Sequence, residues 1–479
     1  MAMLFAACAV IEALRCSSLS SLTGGDVWWH LSSGLWILQH HALPHTGLFS
    51  QSSQAPWIAS SWLYDIRFAI AYKLFGLAAI PMSLMVLKTA IAVVTFLLAG
   101  GRRGNFWPAV ALSAIAQYLL IAFPPTPTYV SIIFFGVELL VLQDLRRASA
   151  SITTQCGAGI PARVPRTAFL LPPLLLLWAN LDIHFVYGLA LLILFLAASF
   201  LESSPFASDF ANIAALSLLA TLLTPYFYHP YSVFFSTIFS PANSVLPDYK
   251  ALTFRQPSDY VFLLFAMAAF LALGLRRSRD LFLVGLLVVA AGLSFHAQRD
   301  LWLVVLVAIA ALGQSITAPA TPRVRARELG IAAAASIAIL ILAAAFVLPH
   351  RPEALRAKAA ASYPVAAADN IRDRHLPQPL FNAFEWGDFL TFYLPDYPVA
   401  IDSRTDLYGD DFVLEYSKVM NAEARYTDFP ALANAATILL PRSAIMAGAL
   451  ASLPNYKVVY TDTVSTVLTK EAPSASQQP

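Results

Sequence analysis

The chain has 479 residues, of which 58% are hydrophobic and only 12% charged, with a mean hydropathy of +0.66 and a formal net charge of +2. A soluble domain carries about 25% charged residues and a disordered chain needs low hydrophobicity, so both classes are excluded. The small net charge leaves no electrostatic footprint for nucleic acid. What remains is a polytopic α-helical membrane protein.

Charge is unevenly placed. Residues 1–349 hold 19 Lys/Arg and 13 Asp/Glu, whereas the much shorter stretch 350–479 holds 11 and 15. This predicts a transmembrane domain, 1–349, followed by a water-exposed domain, 350–479, with the boundary near Leu348-Pro349. Cysteine is scarce: Cys8 and Cys16 lie in the first apolar segment and Cys156 in a polar loop. No pair suggests a disulfide or a metal knuckle.

A spanning helix needs about 20 mostly apolar residues. Eleven segments qualify, at 3–20, 78–99, 107–123, 129–145, 167–182, 184–201, 211–226, 259–275, 280–297, 300–314 and 328–348. The first is read as a span rather than a signal peptide, because it lacks a basic start and Glu12 and Arg15 interrupt it. Arg102-Arg103, Arg146-Arg147 with Arg163 and Arg166, Arg276-Arg277 with Arg279, and Arg323, Arg325 and Arg327 fall on one side. The positive-inside rule makes that side the cytoplasm. The acidic loop Glu202–Asp209 is the exception. Eleven spans place the N-terminus inside and the C-terminal domain outside, as an extracytoplasmic unit. All nine histidines fall on the outer side or at the outer end of a span.

The first outer loop, 21–77, is long. Trp28, Leu31, Leu35 and Leu38 form one face of a helix. Asp26 directly precedes it, either as its N-cap, as a catalytic carboxylate, or as both. A turn-rich stretch, Ala42–Ser50, follows. From Ile58 to Phe75 apolar residues recur at helical spacing, with Asp65, Arg67 and Lys73 between them. Trp57, Trp62, Tyr64 and Tyr72 suit the headgroup zone, so this predicts a second surface helix and a lid over the bundle.

Other outer-side groups follow. Trp178-Ala179-Asn180-Leu181-Asp182-x-His184 lies in a hairpin, where Asp and His near membrane depth face a cavity or a partner. The plain alternative is a local Asp182–His184 or Asn180 interaction. Thr224–Tyr231 reads as an aromatic anchor. Arg255 and Arg299 are outer cations suited to clamping a lipid phosphate, since the guanidinium fork pairs phosphate oxygens. The alternatives are surface pairs, Arg299–Asp300 or Arg255–Asp259. His40, His41 and His45 invite a metal, but neighbouring histidines point apart on a helix and no HExxH supports it. A divalent metal therefore has no support from ligand spacing. No cofactor is expected either, there being no P-loop, no GxGxxG after a strand and no GxSxG.

From Pro377 the pattern alternates. It predicts strands at 379–384, 398–402, 436–440, 456–460 and 463–469, and helices at 387–394, 406–420 and 443–453. That is a small α/β layer with a parallel sheet. Asp402-Ser403-Arg404-Thr405-Asp406 and Glu385-Trp386 fall at strand carboxyl ends, where such sheets bind ligands. A carbohydrate or acceptor site with Trp386 or Tyr408 as a stacking ring is one reading. The other is that Asp406 caps a helix and Arg404 pairs with Asp402. The tail Glu471–Pro479 is polar and frayed.

Two runs carry a family resemblance. The first is Asp26-x-Trp28-Trp29-His30-Leu31-x-x-Gly34-x-Trp36-Ile37-Leu38, with Leu43-Pro44-x-Thr46-x-x-Phe49-Ser50, Pro56-Trp57 and Trp62-Leu63. It resembles the first periplasmic loop of a bacterial group of multi-span proteins. That group is similar to the GT-C class of membrane glycosyltransferases, relatives of the dolichyl-phosphate-mannose mannosyltransferases, and has no assigned substrate. The second run is Phe381-Asn382-x-x-Glu385-Trp386-Gly387-x-Phe389-Leu390, with Ile401-Asp402-Ser403-Arg404-Thr405-Asp406-Leu407-Tyr408-Gly409. It resembles the tail of the same group. Two departures stand out: Gly24-Gly25 occupy the place where a second acidic residue is looked for, and Ser403 stands where Gly is usual.

The resemblance implies a GT-C-like fold. It also implies an inverting transferase at the outer face of a bacterial inner membrane, held among membrane lipid. A sugar would move from a polyprenyl-phosphate-linked donor to a carbohydrate or lipid acceptor. Asp26 matches the acidic residue that helps activate the acceptor in GT-C enzymes, and a general base suits a hydroxyl that must lose its proton as it attacks. His30, Asp182, His184, Arg255, Arg299, Asp402 and Arg404 are the candidate substrate-binding residues. The other reading is a non-catalytic or transport-related membrane protein on the same scaffold, its outer domain binding polysaccharide or a protein partner. The enzyme reading expects Asp26 within a phosphosugar's length of Arg255, Arg299 or His184.

Overall fold

The computed structural model of the protein describes residues 25–101, 106–120, 126–156, 164–276, 280–316 and 352–471, with a few helical positions between 330 and 342. The expected span 3–20 therefore lies outside the described residues, as do most of 328–348 and the tail beyond residue 471.

Helix α1 (Val27–His40) and helix α2 (Trp62–Phe75) build the first long loop. They cross closely at Gly34, where a Cβ would stand 2.1 Å from the carbonyl oxygen of Asp65. Only glycine permits that approach. His41 ends α1 in the left-handed conformation. A 3-10 turn at Gly76–Ala78 leads from α2 into α3 (Ala79–Leu98), so α2 runs on into the bundle rather than lying apart from it.

The bundle continues with α4 (Phe106–Leu119), α5 (Thr128–Cys156), α6 (Leu171–Ala179), α7 (Phe185–Leu201) and α8 (Ala207–Thr221). Next come the aromatic α9 (His229–Ile238), α10 (Pro257–Gly274), α11 (Leu281–His296) and α12 (Leu301–Ser315). Trp62–Leu98, Thr128–Ile152 and Pro257–Gly274 are long and apolar enough to cross a membrane, and shorter apolar helices accompany them. The chain is thus a helical membrane protein. Helix α12 is its axis: every residue from Trp302 to Ala311 is buried. A helix that is apolar all round belongs inside a bundle. At the far end of α5, Arg146 pairs with Glu202 and with Asp280, both at 3.0 Å. Those pairs explain the acidic exception among the basic loops.

The C-terminal stretch holds α13 (Pro352–Ala360), α14 (Val365–Asp373), β1 (Leu380–Asn382), α15 (Phe384–Tyr393), α16 (Thr405–Tyr408) and α17 (Asp410–Met420). It ends with α18 (Pro430–Ala433), β2 (Thr437–Pro441), α19 (Ile445–Ala451), β3 (Tyr456–Thr461) and β4 (Ser465–Lys470). The sheet order is β1-β2-β4-β3. Only β1–β2 is parallel, so the sheet is mixed and not the parallel layer expected. The cause is the tight β3–β4 hairpin, whose turn is held by Asp462 Oδ1 accepting from the Val464 and Ser465 amides at 2.8 and 2.6 Å. The expected strand 398–402 is not one either. The Asn382 side chain takes up the Ala400 N–H and the Ile401 carbonyl at 2.8 Å each, which removes them from any ladder. Val399 instead makes a single parallel bridge to Ser50 of the first long loop.

Helix α15 packs on α1. Trp28 is buried with its ring edge-on to Tyr363 and Phe389 and tilted against Phe392, at 5.3–5.7 Å between centroids. The C-terminal unit and the first loop therefore share one core.

Candidate active site

One end of the bundle gathers a chain of hydrogen bonds. Trp178 Nε1 donates to Ser131 Oγ at 2.6 Å, and Ser131 Oγ donates to Asp182 Oδ2 at 2.5 Å. His184 Nδ1 meets the same oxygen at 2.8 Å, while Arg299 Nη2 lies 2.8 Å from His184 Nε2. Guanidinium groups only donate, so Nε2 must accept. Nδ1 then carries the proton that is given to Asp182. Asp182 and His184 are buried, whereas Arg299 at the end of the chain is half-exposed and stacks over Tyr249 at 4.5 Å. The local Asp182–His184 pair is real, but Arg299 joins it rather than pairing with Asp300. Neither Ser131 nor Trp178 was marked as a site residue from sequence. They arrive from α5 and α6, and sequence spacing carries no signal for a partner 51 residues away.

His30 is also placed by a distant acid. Its Nδ1 lies 2.6 Å from Asp65 Oδ1, and both residues are buried where α1 meets α2. Trp29 stacks on His30 at 3.6 Å. This pair is fastened to the first chain by the start of α2. Trp62 Nε1 donates to Asn180 Oδ1 at 3.0 Å, two residues before Asp182. Beside that contact runs a largely apolar groove of about 580 Å³, lined by Trp62, Leu176, Leu177, Asn180, Leu223 and Pro225 among others.

Asp26 is half-buried at the head of α1 and makes no side-chain cap hydrogen bond; its own backbone is already helical (φ −52°, ψ −27°). The capping role is thus absent. Two acids stand near it. Asp248, on the turn Pro247–Tyr249, has an exposed residue surface but a recessed carboxyl. Its pKa is raised by that burial and by the Asp26 charge, with Arg299 pulling the other way. A single carboxyl thus feels both Asp26 and Arg299. Asp388, on α15, is buried, and its Oδ2 would stand 2.8 Å from a Cβ on Gly25. Burial, then Asp402, then Asp26 hold its carboxyl well above the usual range. Sequence reasoning missed both acids, which lie far along the chain from Asp26.

Asp402 and Arg404 sit in the same unit but are sealed, at 0% and 3% exposure. Arg404 Nη2 and Nε reach the Asp402 carboxylate at 2.6 and 3.0 Å, and Nη2 also donates to the Leu48 carbonyl at 2.8 Å. The guanidinium lies over Trp57 at 4.9 Å. Burial disfavours its charge, but Asp402 outweighs that and raises the Arg404 pKa. Arg255 remains exposed, and its expected partner Asp259 instead completes a capping box with Gln256. His40 stacks on Trp36 and His45 meets Tyr226, so the histidine cluster disperses. Among the described residues no group of three His, Cys, Asp or Glu side chains is placed to hold a metal ion.

No family model matches the chain, and no curated protein matches it significantly. Solved structures do. The crystal structure of ArnT from Cupriavidus metallidurans bound to undecaprenyl phosphate aligns over 98% of both chains, with a TM-score of 0.51 at 13% identity. The apo state of the same protein aligns over 97% of both, with a TM-score of 0.45 at 14% identity. The likeness to the first is one of fold, and the fold of this membrane protein is GT-C-like.

Proposed function

We propose that the protein is a membrane glycosyltransferase that takes a sugar from a polyprenyl-phosphate-linked donor and passes it to a carbohydrate or lipid acceptor. It works at the outer face of a bacterial inner membrane, with the N-terminus in the cytoplasm and residues 350–479 outside. The observation that carries this reading is the hydrogen-bonded chain Asp182–His184–Arg299, which holds a guanidinium from behind at the half-exposed end of the bundle. Asp26, a half-buried carboxylate free of capping duty, is the candidate base. The neighbouring structure bound to undecaprenyl phosphate supports the same lipid class here.

The chemistry follows from the groups. The donor's apolar tail lies in the groove beside Asn180, as a mainly apolar pocket with few polar groups suits. Its phosphate meets Arg299, whose fork is held by His184 and, through it, by Asp182. The acceptor oxygen attacks the anomeric carbon, the bond from that carbon to the phosphate oxygen breaks, and configuration inverts. Asp26 takes the acceptor's proton as attack proceeds. Arg299 stabilises the charge that grows on the departing phosphate.

The test uses the purified protein in liposomes with undecaprenyl-phosphate-linked hexoses, reading acceptor-dependent release of undecaprenyl phosphate. Asp26→Asn should reduce release by about 10²–10⁴-fold, the usual worth of general base catalysis, with melting unchanged. Undiminished release in that variant would remove Asp26 as the base.

A further inference from the structure

Two oddities of the sequence, Gly25 and Ser403, meet in space on one side chain. Asp388 Oδ1 accepts from both the Ser403 backbone N–H and the Ser403 hydroxyl, each at 3.0 Å. Its other oxygen, Oδ2, lies against Gly25, where any side chain would stand 2.8 Å away. Asp388 is 2% exposed, and no cation among the described residues pairs with it. Arg404, which feels its charge, is committed to Asp402. The titratable and charged groups facing it are Asp26 at the head of α1, Asp402 and Arg404 in the loop after α15, and Tyr363 before α14.

A buried carboxylate without a cation, between two other acids, is costly, and binding a proton removes the cost. Oδ1 is already occupied by two donors. The proton therefore sits on Oδ2, the oxygen turned to Gly25, next in sequence to Asp26. We propose that Asp388 is a positioning residue of the transfer site: a neutral carboxylic acid, brought by the C-terminal unit, whose Oδ2–H donor holds the Asp26 carboxylate in its working orientation. This rests on the transferase reading for its consequence, though not for its chemistry. It gives Gly25 a purpose, since a side chain there would press on Oδ2 and displace it, and it gives the Ser403 hydroxyl one too. It also makes the site depend on the docked C-terminal unit, because α15 brings Asp388 to the head of α1.

Asparagine reproduces a protonated aspartate, with an N–H donor in place of Oδ2–H and a carbonyl in place of Oδ1. Asp388→Asn should thus release undecaprenyl phosphate within about twofold of the unaltered protein. Asp388→Ala should lose about 100-fold, the scale of a misplaced catalytic group. The pH profile separates positioning from mere packing. In the unaltered protein, release and melting temperature should both fall as pH rises above the usual carboxylate range, and in Asp388→Asn neither fall should occur. The sign follows from linkage. A folded pKa above the unfolded one gives stability that is complete below the unfolded value and lost as pH rises through the folded value. Asn as damaging as Ala would overturn the proposal, as would Asn with an unchanged pH profile of melting. If the unaltered protein releases no undecaprenyl phosphate, the transferase reading fails, and the melting profiles of the two proteins still decide the state of Asp388.

Discussion

The acid–base constellations Asp402–Arg404 and Asp182–His184–Arg299 differ in completeness. Asp402–Arg404 is closed: both residues are buried, and the guanidinium is shared between a carboxylate, the Leu48 carbonyl and the Trp57 face. Asp182–His184–Arg299 is open at one end: two members are buried, and the third reaches the half-exposed surface with His184 and Tyr249 as its only described partners. The first is sealed from solvent, so even its unpaired Arg404 Nη1 is out of a substrate's reach. It clasps the first loop to the C-terminal unit, where Val399 and Phe49 also bond at 2.9 Å. The second keeps donors free while its orientation is fixed from behind. Like side chains thus differ in what they can serve according to whether the fold seals them in or leaves one end at the surface.

The largest expected effect breaks the closed constellation. Arg404→Ala leaves the Asp402 carboxylate buried without its cation, and such losses run to about 3–5 kcal/mol. Unfolding in detergent should show that loss, together with faster proteolysis of the loop around Leu48. Replacing both residues by apolar ones of similar volume, Asp402→Leu with Arg404→Met, should recover most of it, because no charge is then stranded. A single Arg404→Ala variant as stable as the unaltered protein would show that the clasp contributes nothing.

How much of this was readable in advance divides along sequence distance. Helix α1 was legible because Trp28, Leu31, Leu35 and Leu38 repeat at helical spacing, and the Asp182–His184 pair because a single residue separates them. Arg299 on His184 was not, since 115 residues intervene and only packed helices close that gap. Asp402 and Arg404 were marked for the right pair, but also for a ligand site that their burial leaves no room to form. The strand expected at 398–402 failed for a local reason: the Asn382 side chain imitates a neighbouring strand and ends the ladder. Asp388 was invisible because its meaning comes wholly from Gly25, Asp26 and Ser403, none of which is near it in sequence.

The open constellation should respond in binding rather than in stability. Arg299→Lys keeps the charge but loses the planar fork that bonds His184 and a phosphate at once. A hydrogen bond to a charged group is worth about 1.5–3 kcal/mol, so affinity for undecaprenyl phosphate in liposomes should weaken by roughly 10–150-fold. Melting should shift far less than in Arg404→Ala. Unchanged affinity with a large loss of stability would reverse the comparison and make Arg299 the fastening.

The smallest effect is expected at Arg255, the other cation marked from sequence. It is exposed, and Asp259, its natural partner by spacing, is spent on the amide of Gln256 in a capping box. Among the described residues none holds Arg255 in one orientation, so a phosphate bound there would have to order a long side chain, which costs about 1.5–2 kcal/mol. An exposed cation without such support gives little net binding at physiological salt. Arg255→Ala should therefore change stability by no more than about 0.5 kcal/mol and leave undecaprenyl phosphate affinity within about twofold. A tenfold loss of affinity in that variant would mean that the phosphate rests on the outer surface and not at the end of the Asp182–His184–Arg299 chain, and the proposed geometry of transfer would have to be rebuilt around Arg255.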